Sequence, residues 1–428
     1  KSIMLGISNI SSLIFKNTQR LFSTTPRVSQ FWDHLNQAPL DGNHATNAAF
    51  NADQSPNKVN LGRGVYKTDE GKNWILPCVQ EAENRIASSL LGHEYLPFSG
   101  LKEFTDASAR FAFSEESELI EQERVATVQT ISGTGALRIG AEFLSRFLPE
   151  APVFLPNPTY VNHYPVFRLN GFELRHYRYY DPETCGLDFD GFIEDVKQAP
   201  RRSIFLFHAC AHNPTGVDPS AEQWREISSV ALERGHLCFF DCAYQGFASG
   251  DSHVDGQSFR QFIADGHHIL LAQSYAKNFG LYGQRVGALN VVARNKDQRD
   301  RVLSNLNSVI RPMYSNPPLH GARIVARVFN DQDLRQQWNK DVRTMADRLN
   351  GVRAQLVDLL HNKHKSNRDF SHISKQIGMF AYSGLSKEEV EALRSHHIYM
   401  NYDGRMSVSG INSSNVEYLA NAMHQVTQ

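Results

Sequence analysis

Short apolar runs alternate with helix-like segments along most of the chain, and this alternation limits the possible fold more than any other feature of the sequence. The runs are as long as strands and continuously apolar, as is typical of parallel strands covered by helices on both faces. Such alternation predicts an α/β fold. The predicted strands cover residues 124–131, 153–155, 204–207, 237–240, 269–272 and 287–292.

Segments with apolar residues at helical spacing lie between and after these strands. Three of them are predicted helices, at residues 136–147, Phe189–Gln198 and Ala221–Arg234, the last started by Pro219-Ser220. A longer pattern over residues 334–361 could bridge two domains. After it, strands at 376–382 and 405–409 and a helix at 415–426 indicate a smaller α+β unit.

The chain is long enough for a large and a small domain. We expect a large domain over residues 73–344, with a mostly parallel sheet covered by helices, and a smaller α+β domain over residues 345–428. Residues 30–72 precede these domains, and the stretch near 40–72 has too little apolar content to fold alone. They are expected to form an N-terminal arm and part of the small domain.

Residues 1–29 have the composition of a mitochondrial transit peptide. Four basic residues and no acidic residue precede Asp33, and an amphipathic helix is possible. The spacing of Arg20, Phe22 and Thr25 resembles that used by matrix processing peptidases. We therefore expect import into the mitochondrial matrix, and a tail with this composition by chance is the alternative.

The composition disfavours several classes of protein. Lys+Arg 44 and Asp+Glu 45 give a net charge of −1, so nucleic acid is not an expected partner. No apolar run approaches the ~18 residues of a membrane helix, so no transmembrane segment is expected. The five cysteines include no CxxC pair. Cys238 and Cys242 have a spacing that a metal site could use, but they fit better as buried strand residues. No metal is therefore expected.

Residues able to do chemistry follow the predicted strands at their carboxyl ends, where α/β sheets bind ligands. Ser132-Gly133-Thr134-Gly135 joins a strand to a helix, and its N–H groups and the helix dipole would suit a phosphate. A plain tight turn fits this pattern about equally well. The pattern lacks the spacing of a Walker A loop or of a GxGxxG dinucleotide loop.

Other polar residues follow the neighbouring strands. His208 and His212 flank Cys210, but the alternating side-chain directions of an extended segment and the lack of further ligands disfavour a metal site. Asp241 and Lys277 each follow a predicted strand. A lysine is costly to bury as a cation, so Lys277 is a candidate imine-forming amine, although an isolated lysine is usually a solvated loop residue.

Taken in order, these motifs resemble the aspartate aminotransferases, which are fold type I enzymes that depend on pyridoxal 5′-phosphate (PLP), and among them the mitochondrial form. The resemblance extends from about residue 31 to residue 428. The motifs that carry it are EYLP (94–97), ISGTGALR (131–138), HNPTGVD (212–218), DCAYQGF (241–247), QSYAKN (273–278), RPMYSNPP (311–318) and DGR (403–405).

The resemblance implies catalytic and cofactor-binding roles. Lys277 would form an imine with PLP and move a proton at the substrate Cα. Asp241 would pair with the pyridine nitrogen, while Asn213 and Tyr244 would bind the phenolic oxygen. His163 and His208 are implied to orient Asp241. The cofactor phosphate would be held by Ser132, Gly133, Thr134, Ser274 and Arg285.

The resemblance also implies the substrates and a homodimer with shared active sites. A dicarboxylate needs one guanidinium at each end. Arg405 would bind the α-carboxylate, and Arg311 would reach the distal carboxylate from the other subunit. Tyr95 would contact the phosphate across the same interface, and Gly64, Asn213 and Tyr160 would contact substrate. The implied reaction converts L-aspartate and 2-oxoglutarate to oxaloacetate and L-glutamate, with the amino group held on the cofactor between two half-reactions.

Four residues, in three motifs, differ from the family pattern. Tyr160, which would stack on the cofactor ring, stands where tryptophan is usual. Arg63 and Val65 flank Gly64 in the segment that closes over substrate, where the family has smaller or apolar residues. Gln284 replaces a glutamate before Arg285.

Three alternatives remain open. One is a broadened aminotransferase that also acts on aromatic amino acids or kynurenine, although retention of Arg311 disfavours a complete switch. Another is a catalytically silent binding protein on the same dimer, which the intact Lys277, Asp241, Asn213 and Tyr244 disfavour. The third is a dehydrogenase, which the missing GxGxxG disfavours.

Overall fold

The computed structural model describes residues 32–38 and 42–428. Residues 32–38 contain a turn in which the Leu35 N–H donates to the Trp32 carbonyl at 3.0 Å. They belong to a unit that ends at His44, and residues Ala45–Gln428 form a second unit. The predicted transit peptide, residues 1–29, lies outside the described residues.

Strands occur along the whole second unit. In chain order they are β1 (Val59–Asn60), β2 (Val125–Ile131), β3 (Val153–Asn157), β4 (Leu174–Arg178), β5 (Tyr180–Asp181), β6 (Gly186–Leu187), β7 (Ile204–His208), β8 (Leu237–Cys242), β9 (Leu270–Ser274), β10 (Val286–Val292), β11 (Phe380–Tyr382), β12 (Ile398–Tyr399) and β13 (Arg405–Ser407).

Helices separate most of these strands. They are α1 (Gly42–Ala52), α2 (Pro77–Ser88), α3 (Lys102–Phe113), α4 (Glu118–Glu121), α5 (Ser132–Phe147), α6 (His163–Arg168), α7 (Phe189–Gln198), α8 (Ala221–Arg234), α9 (Ser252–Asp255), α10 (Gln257–Ala264), α11 (Lys296–Tyr314), α12 (His320–Phe329), α13 (Gln332–Asp358), α14 (Ser371–Lys375), α15 (Lys387–Ser395) and α16 (Val416–Val426). A π-helical turn, Leu359–Lys363, continues α13.

A seven-stranded sheet has the order β2-β10-β9-β8-β7-β3-β4. Neighbours from β9 to β4 are parallel, whereas β10 is antiparallel to both β2 and β9. Every residue of β7, β9 and β10 is buried, as expected for strands covered on both faces. The predicted α/β fold with a mostly parallel sheet is therefore confirmed.

Several predicted boundaries were wrong in ways that concern the site. Strands β7 and β8 extend to His208 and Cys242, so His208 and Asp241 lie within strands and not after them. Helix α5 begins at Ser132 and not at Ala136, so the glycine-rich segment is the first turn of the helix. Glycine is tolerated there because the first N–H groups of a helix have no intrahelical partner.

The C-terminal part contains two small strand pairs. β11 pairs with β13 antiparallel, and β1 pairs with β12 in parallel register, so residues of the N-terminal stretch join the C-terminal strands. The strands predicted at 376–382 and 405–409 are shorter, because Gly378 adopts φ +89° and Val408–Gly410 forms a 3₁₀ turn. The predicted domain boundary at residue 344 falls inside α13.

Candidate active site

The carboxyl ends of three adjacent parallel strands bring the first site residues together. His208 ends β7 and is paired in register with Asp241 on β8, which is paired with Ala272 on β9. Ser274 ends β9, and Lys277 follows in the turn after it. Parallel strands end at one edge of a sheet, so the fold places Asp241 and the segment bearing Lys277 side by side.

Asp241 begins a buried chain of hydrogen bonds. Its Oδ2 lies 3.1 Å from Nε2 of His163, the first residue of α6. The Thr159 hydroxyl lies 2.7 Å from Nδ1 of His163 and 3.2 Å from Nε2 of His208. His208 thus acts on Asp241 through Thr159 and His163. The network completes the hydrogen bonding of both ring nitrogens of His163 without solvent.

The network sets the charge of Asp241. Burial alone would raise the pKa of this carboxyl, but the hydrogen bond and charge of His163 and the charge of Lys277 outweigh burial and lower it. Burial and the neighbouring His163 lower the pKa of His208 to about 3, so His208 is neutral. The site therefore contains a buried carboxylate that is kept ionised.

Lys277 has an amine whose pKa is lowered, as a reactive amine requires. Burial lowers its pKa, the Asp241 charge opposes that shift, and the charges of Arg285 and Arg405 add to it. Its Nζ lies 5.8 Å from the ring centroid of Tyr244, which follows β8 and is 4% exposed. Burial and the Asp241 charge raise the pKa of the Tyr244 phenol, so this hydroxyl stays protonated.

The first turn of α5 has features that suit an anion. Ile131, the N-cap residue, provides no side-chain cap, so the N–H groups that follow remain available. The Ser132 hydroxyl lies 3.2 Å from that of Ser274. At Gly133 a Cβ would lie 3.0 Å from the Ser274 Cβ, so only glycine leaves the approach open. Arg285 is exposed and its backbone adopts φ +51°. Its positive charge acts to lower the pKa of both Tyr160 and Lys277.

Two polar groups complete this part of the site. Asn213 is buried, its N–H donates to Nδ1 of His208 at 3.3 Å, and its Oδ1 has no hydrogen-bond partner in the described part of the chain. Tyr160 is half-buried, and its hydroxyl accepts a hydrogen bond from Asn162 Nδ2 at 2.8 Å. A buried acceptor without a partner is costly, so the Asn213 amide indicates a bound polar group.

Arg405 lies on the C-terminal strand β13 and is 6% exposed. Its guanidinium carbon is 4.3 Å from the Phe380 ring centroid, and its Nη2 donates to the Gly62 carbonyl at 3.4 Å. A Cβ on Gly64 would lie 2.9 Å from Phe380 Cζ, so glycine is needed beside this aromatic ring. Burial lowers the pKa of Arg405, with Asp403 opposing the shift.

Two predicted residues contact none of the others. Arg311, near the end of α11, is exposed, and its guanidinium carbon lies 5.1 Å from the Phe98 ring centroid. Tyr95 is 84% exposed. The Asn316 amide donates to the Leu96 carbonyl at 2.5 Å, so both residues lie on one exposed region.

Sequence reasoning missed two residues that the structure adds to the site. Thr159 bridges the two histidines, and Phe380 packs against Arg405. Thr159 stands in the Pro-Thr-Tyr-x-Asn-His run, so its position three residues before Asn162 was available as a signal. No local pattern marks Phe380, because its role depends on a contact across two chain segments.

Cys238 and Cys242 are buried in β8, as predicted. In residues 32–38 and 42–428 we find no cluster of three or more His, Cys, Asp or Glu side chains that could hold a metal ion. No helix in the described part of the chain is long and apolar enough to cross a bilayer.

Comparison with known proteins identifies the family. The model of the family "Aminotransferase class I and II" matches residues 56–423, and the chain belongs to this family. It is 49% identical to the mitochondrial aspartate aminotransferase of Dictyostelium discoideum, over 96% of this chain and 95% of that protein. It is also 49% identical to the mitochondrial aspartate aminotransferase of Gallus gallus, over 98% and 99% of the two chains.

Solved structures agree with this result. An aromatic-amino-acid aminotransferase from Burkholderia pseudomallei, covalently bound to pyridoxal phosphate, superposes with a TM-score of 0.91 at 40% identity, over 93% of this chain and all of that chain. A mitochondrial aspartate aminotransferase from Trypanosoma brucei superposes with a TM-score of 0.86 at 42% identity, over 90% and 100% of the two chains.

The residues present suit PLP. An ionised buried carboxylate, Asp241, requires a cationic partner such as a protonated pyridine nitrogen. The Asn213 amide, whose Oδ1 has no partner, can turn to present its N–H₂ group to a phenolic oxygen, and the uncapped start of α5 suits a phosphate. Lys277 has the lowered pKa that imine formation needs. The site therefore has a matching group for each end of this cofactor.

Proposed function

We propose that this protein is a PLP-dependent transaminase that converts L-aspartate and 2-oxoglutarate to oxaloacetate and L-glutamate. The observation that carries the proposal is the pairing of Lys277, whose pKa is lowered, with Asp241, which His163 holds at 3.1 Å. The aspartate preference rests on the curated relatives at 49% identity. We assign the cofactor and substrate roles to the residues that the family resemblance names.

Proton transfer at the substrate Cα is assigned to Lys277. PLP, when bound, supplies a protonated ring that stabilises negative charge at this carbon. The amine of Lys277 can accept the Cα proton because burial lowers its pKa. Asp241 stays ionised and holds a proton on the ring nitrogen, and its own position is fixed through His163 and Thr159.

Substrate orientation is assigned to two arginines. Arg405 is buried beside Phe380 and would bind the α-carboxylate as a bidentate pair. Arg311 would bind the distal carboxylate. A substrate with a carboxylate at each end is selected because each guanidinium left without a partner costs binding free energy.

The proposed activity can be tested directly. Purified protein loaded with PLP should release a single equivalent of oxaloacetate per site from aspartate alone, and more than this only when 2-oxoglutarate is also supplied. The visible absorption band of the bound cofactor should change on addition of aspartate alone and return on addition of 2-oxoglutarate. An unchanged spectrum after addition of aspartate alone would contradict the proposal and favour the silent binding protein.

The enzyme is proposed to act as a homodimer in which Arg311 and Tyr95 enter the partner's site. Both residues lie on one exposed region and contact none of the other predicted site residues within the described chain. The same region exposes Leu90 and Leu91, at 92% and 44%. A symmetric dimer would bury these apolar residues and place one patch of each copy against the other.

A hybrid dimer distinguishes a shared site from a site within one chain. Co-expression of Lys277→Ala and Arg311→Ala chains with different tags allows the hybrid to be purified. If Arg311 acts across the interface, one of the two sites regains both residues and the hybrid has about half the wild-type activity. If Arg311 acts in its own chain, the hybrid stays as weak as the Arg311→Ala protein.

Location and domain organisation complete the proposal. The curated relatives are named as mitochondrial, and we propose import into the matrix directed by residues 1–29. Import into isolated mitochondria with N-terminal sequencing of the product tests this proposal. We also propose a large PLP-binding domain over residues 73–344, a small domain over 345–428 and an arm over 30–72.

A further inference from the structure

Segment 61–67 faces two different environments. The Gly62 carbonyl accepts from Arg405, and Gly64 lies against Phe380, so these glycines border the candidate active site. The residues between and after them, Arg63, Val65 and Lys67, line a separate cavity of about 360 Å³. The active-site segment therefore forms one wall of a second cavity, which the proposed transamination does not use.

Three cations line this cavity. They are Lys58, Arg63 and Lys67, and no Asp or Glu is among the lining residues. Lys58 donates to the carbonyls of Phe50 and Asp53 at 3.1 and 2.7 Å, so its charge meets only neutral oxygens. Lys67 donates to Asn73 Oδ1 at 2.5 Å. Positive charge in the cavity wall is not neutralised there.

Arg63 is the most available of the three cations. It is exposed and makes no hydrogen bond or ion pair with any other residue that the structure describes. Burial and the charge of Arg63 lower the pKa of Lys67, which indicates that the two cations repel each other. An anion between them would relieve this repulsion.

Two carboxylates close in sequence to lining residues bind other groups. Asp53 Oδ2 accepts from His397 Nδ1 and from the Tyr399 hydroxyl, each at 2.8 Å. Asp69 accepts from the Ser413 N–H at 2.9 Å. Hydrogen bonds from the Ser55 N–H, the Tyr399 hydroxyl and His397 lower the pKa of Asp53 to about 2, and those from the Ser413 hydroxyl and N–H lower the pKa of Asp69. Both carboxyls are therefore ionised and bound to other partners.

A neutral donor completes the cavity wall. Asn412 lines it, and its Oδ1 accepts from the Asn415 and Ser414 N–H groups at 3.0 and 3.1 Å. These bonds fix the orientation of the amide. Its Nδ2 makes no hydrogen bond within the described part of the chain, which leaves two N–H donors for a ligand.

We propose that this cavity binds a small anion that carries two or more negatively charged oxygen groups, with Arg63, Lys67 and Asn412 as its principal donors. Arg63 offers a fork for two oxygens, and Lys67 acts as a point charge. Phosphate esters and polycarboxylates share this chemistry. A ligand here would contact the segment whose other face contacts Arg405, so it is placed to affect substrate binding.

The test is calorimetric titration of the full PLP-loaded protein with inorganic pyrophosphate and, separately, with citrate. The same titrations of Arg311→Ala protein, which lacks the guanidinium assigned to the distal carboxylate of the substrate, separate binding at the substrate arginines from binding at this cavity. We expect one site per chain, with affinity that falls as salt is added. Arg63→Val and Lys67→Gln should each weaken binding about tenfold, as for the loss of one charge-assisted hydrogen bond.

Matched variants separate a built site from general charge attraction. Lys387→Gln makes the same charge change at an exposed position of α15 and should leave the dissociation constant unchanged. Asn412→Asp places a negative charge in the wall and should abolish binding. Binding of pyrophosphate alone identifies phosphate esters as the ligand class, and binding of citrate alone identifies polycarboxylates. Absence of binding by both probes, or equal weakening by Arg63→Val and Lys387→Gln, would overturn the proposal.

Discussion

The two ends of the candidate site are built differently. Around Asp241 the partners His163, Thr159 and His208 come from the same chain and are buried, and the hydrogen bonds among them are already formed. At the other end, Arg311 and Tyr95 are exposed and contact no other predicted site residue in the described chain. One chain is thus preorganised for the cofactor, whereas recognition of the distal carboxylate depends on assembly.

At the preorganised end, the largest loss of activity is expected from a change at Lys277. Lys277→Ala removes the amine but leaves Asp241, the start of α5 and Asn213 in place, so PLP should still bind. We expect turnover with aspartate to fall by about 10³-fold or more, since both the covalent link and the proton carrier are lost. Steady-state turnover and equilibrium dialysis with PLP measure the two effects.

Lys387→Ala is the control for Lys277→Ala, because Lys387 is an exposed lysine on α15. It should retain wild-type turnover. Substantial activity of Lys277→Ala would show that another group moves the proton, and the assignment of the catalytic amine would be abandoned.

At the end that depends on assembly, the effect of Arg311→Ala should differ between substrates. Loss of a guanidinium from a desolvated charge pair costs about 2–5 kcal/mol. The kcat/KM for aspartate should therefore fall about 100-fold, whereas that for phenylalanine, which has no distal charge, should change little. Arg311→Lys keeps the positive charge but not the bidentate guanidinium. Its kcat/KM for aspartate should lie between those of the wild type and of Arg311→Ala. Equal losses for both amino acids would make Arg311 a structural residue.

Local signals predicted some elements well. Helix α8 was predicted with correct bounds because Ser220 forms a capping box with Gln223 and Gly235 closes the helix at φ +69°. Helix α7 was also predicted correctly, and Asp188 caps it. In both cases short-range chemistry at the helix ends coincides with the tertiary structure.

Other elements are determined by their surroundings. Strand β4 has three exposed residues among five and no continuous apolar run, so it was missed at the sheet edge. Helix α11 is strongly polar and contains Pro312, which weakened its signal. At the site, residues within one motif could be found from sequence, but the packing of Phe380 on Arg405 joins β11 to β13 and has no local signature.

The hydrogen-bond network can be tested with Thr159→Val, which keeps the side-chain shape. The change leaves Nδ1 of His163 and Nε2 of His208 without their buried partner. We expect a loss of about 1–3 kcal/mol in the free energy of unfolding, measured by urea titration of the cofactor-free protein. Turnover should fall about tenfold because His163 holds Asp241 less firmly.

Thr344→Val is the matched control, since Thr344 is exposed on α13 and its hydroxyl bonds only to the Lys340 carbonyl. It should alter neither quantity by a measurable amount. If Thr159→Val behaves like Thr344→Val, His208 has no role in positioning Asp241.

The smallest expected effect concerns Tyr160, which lies beside His163. Its ring lies 5.5 Å from that of His163 at 87°, and its hydroxyl accepts from Asn162. Burial and the Asp241 charge raise its pKa, so the phenol is neutral. Tyrosine offers less stacking area than the tryptophan usual in the family, and its donor has a different reach.

Tyr160→Trp should therefore raise kcat/KM for aspartate by about tenfold or less, because an aromatic contact contributes about 0.5–1.5 kcal/mol beyond its buried area. The share of activity toward phenylalanine should fall as the larger ring fills the pocket. The indole cannot accept the Asn162 hydrogen bond, so Tyr160→Phe, which also loses that bond but keeps the ring size, separates the two effects. If Tyr160→Trp abolishes aspartate turnover while Tyr160→Phe does not, the pocket is built around the size of tyrosine, and the broadened aminotransferase becomes the better description.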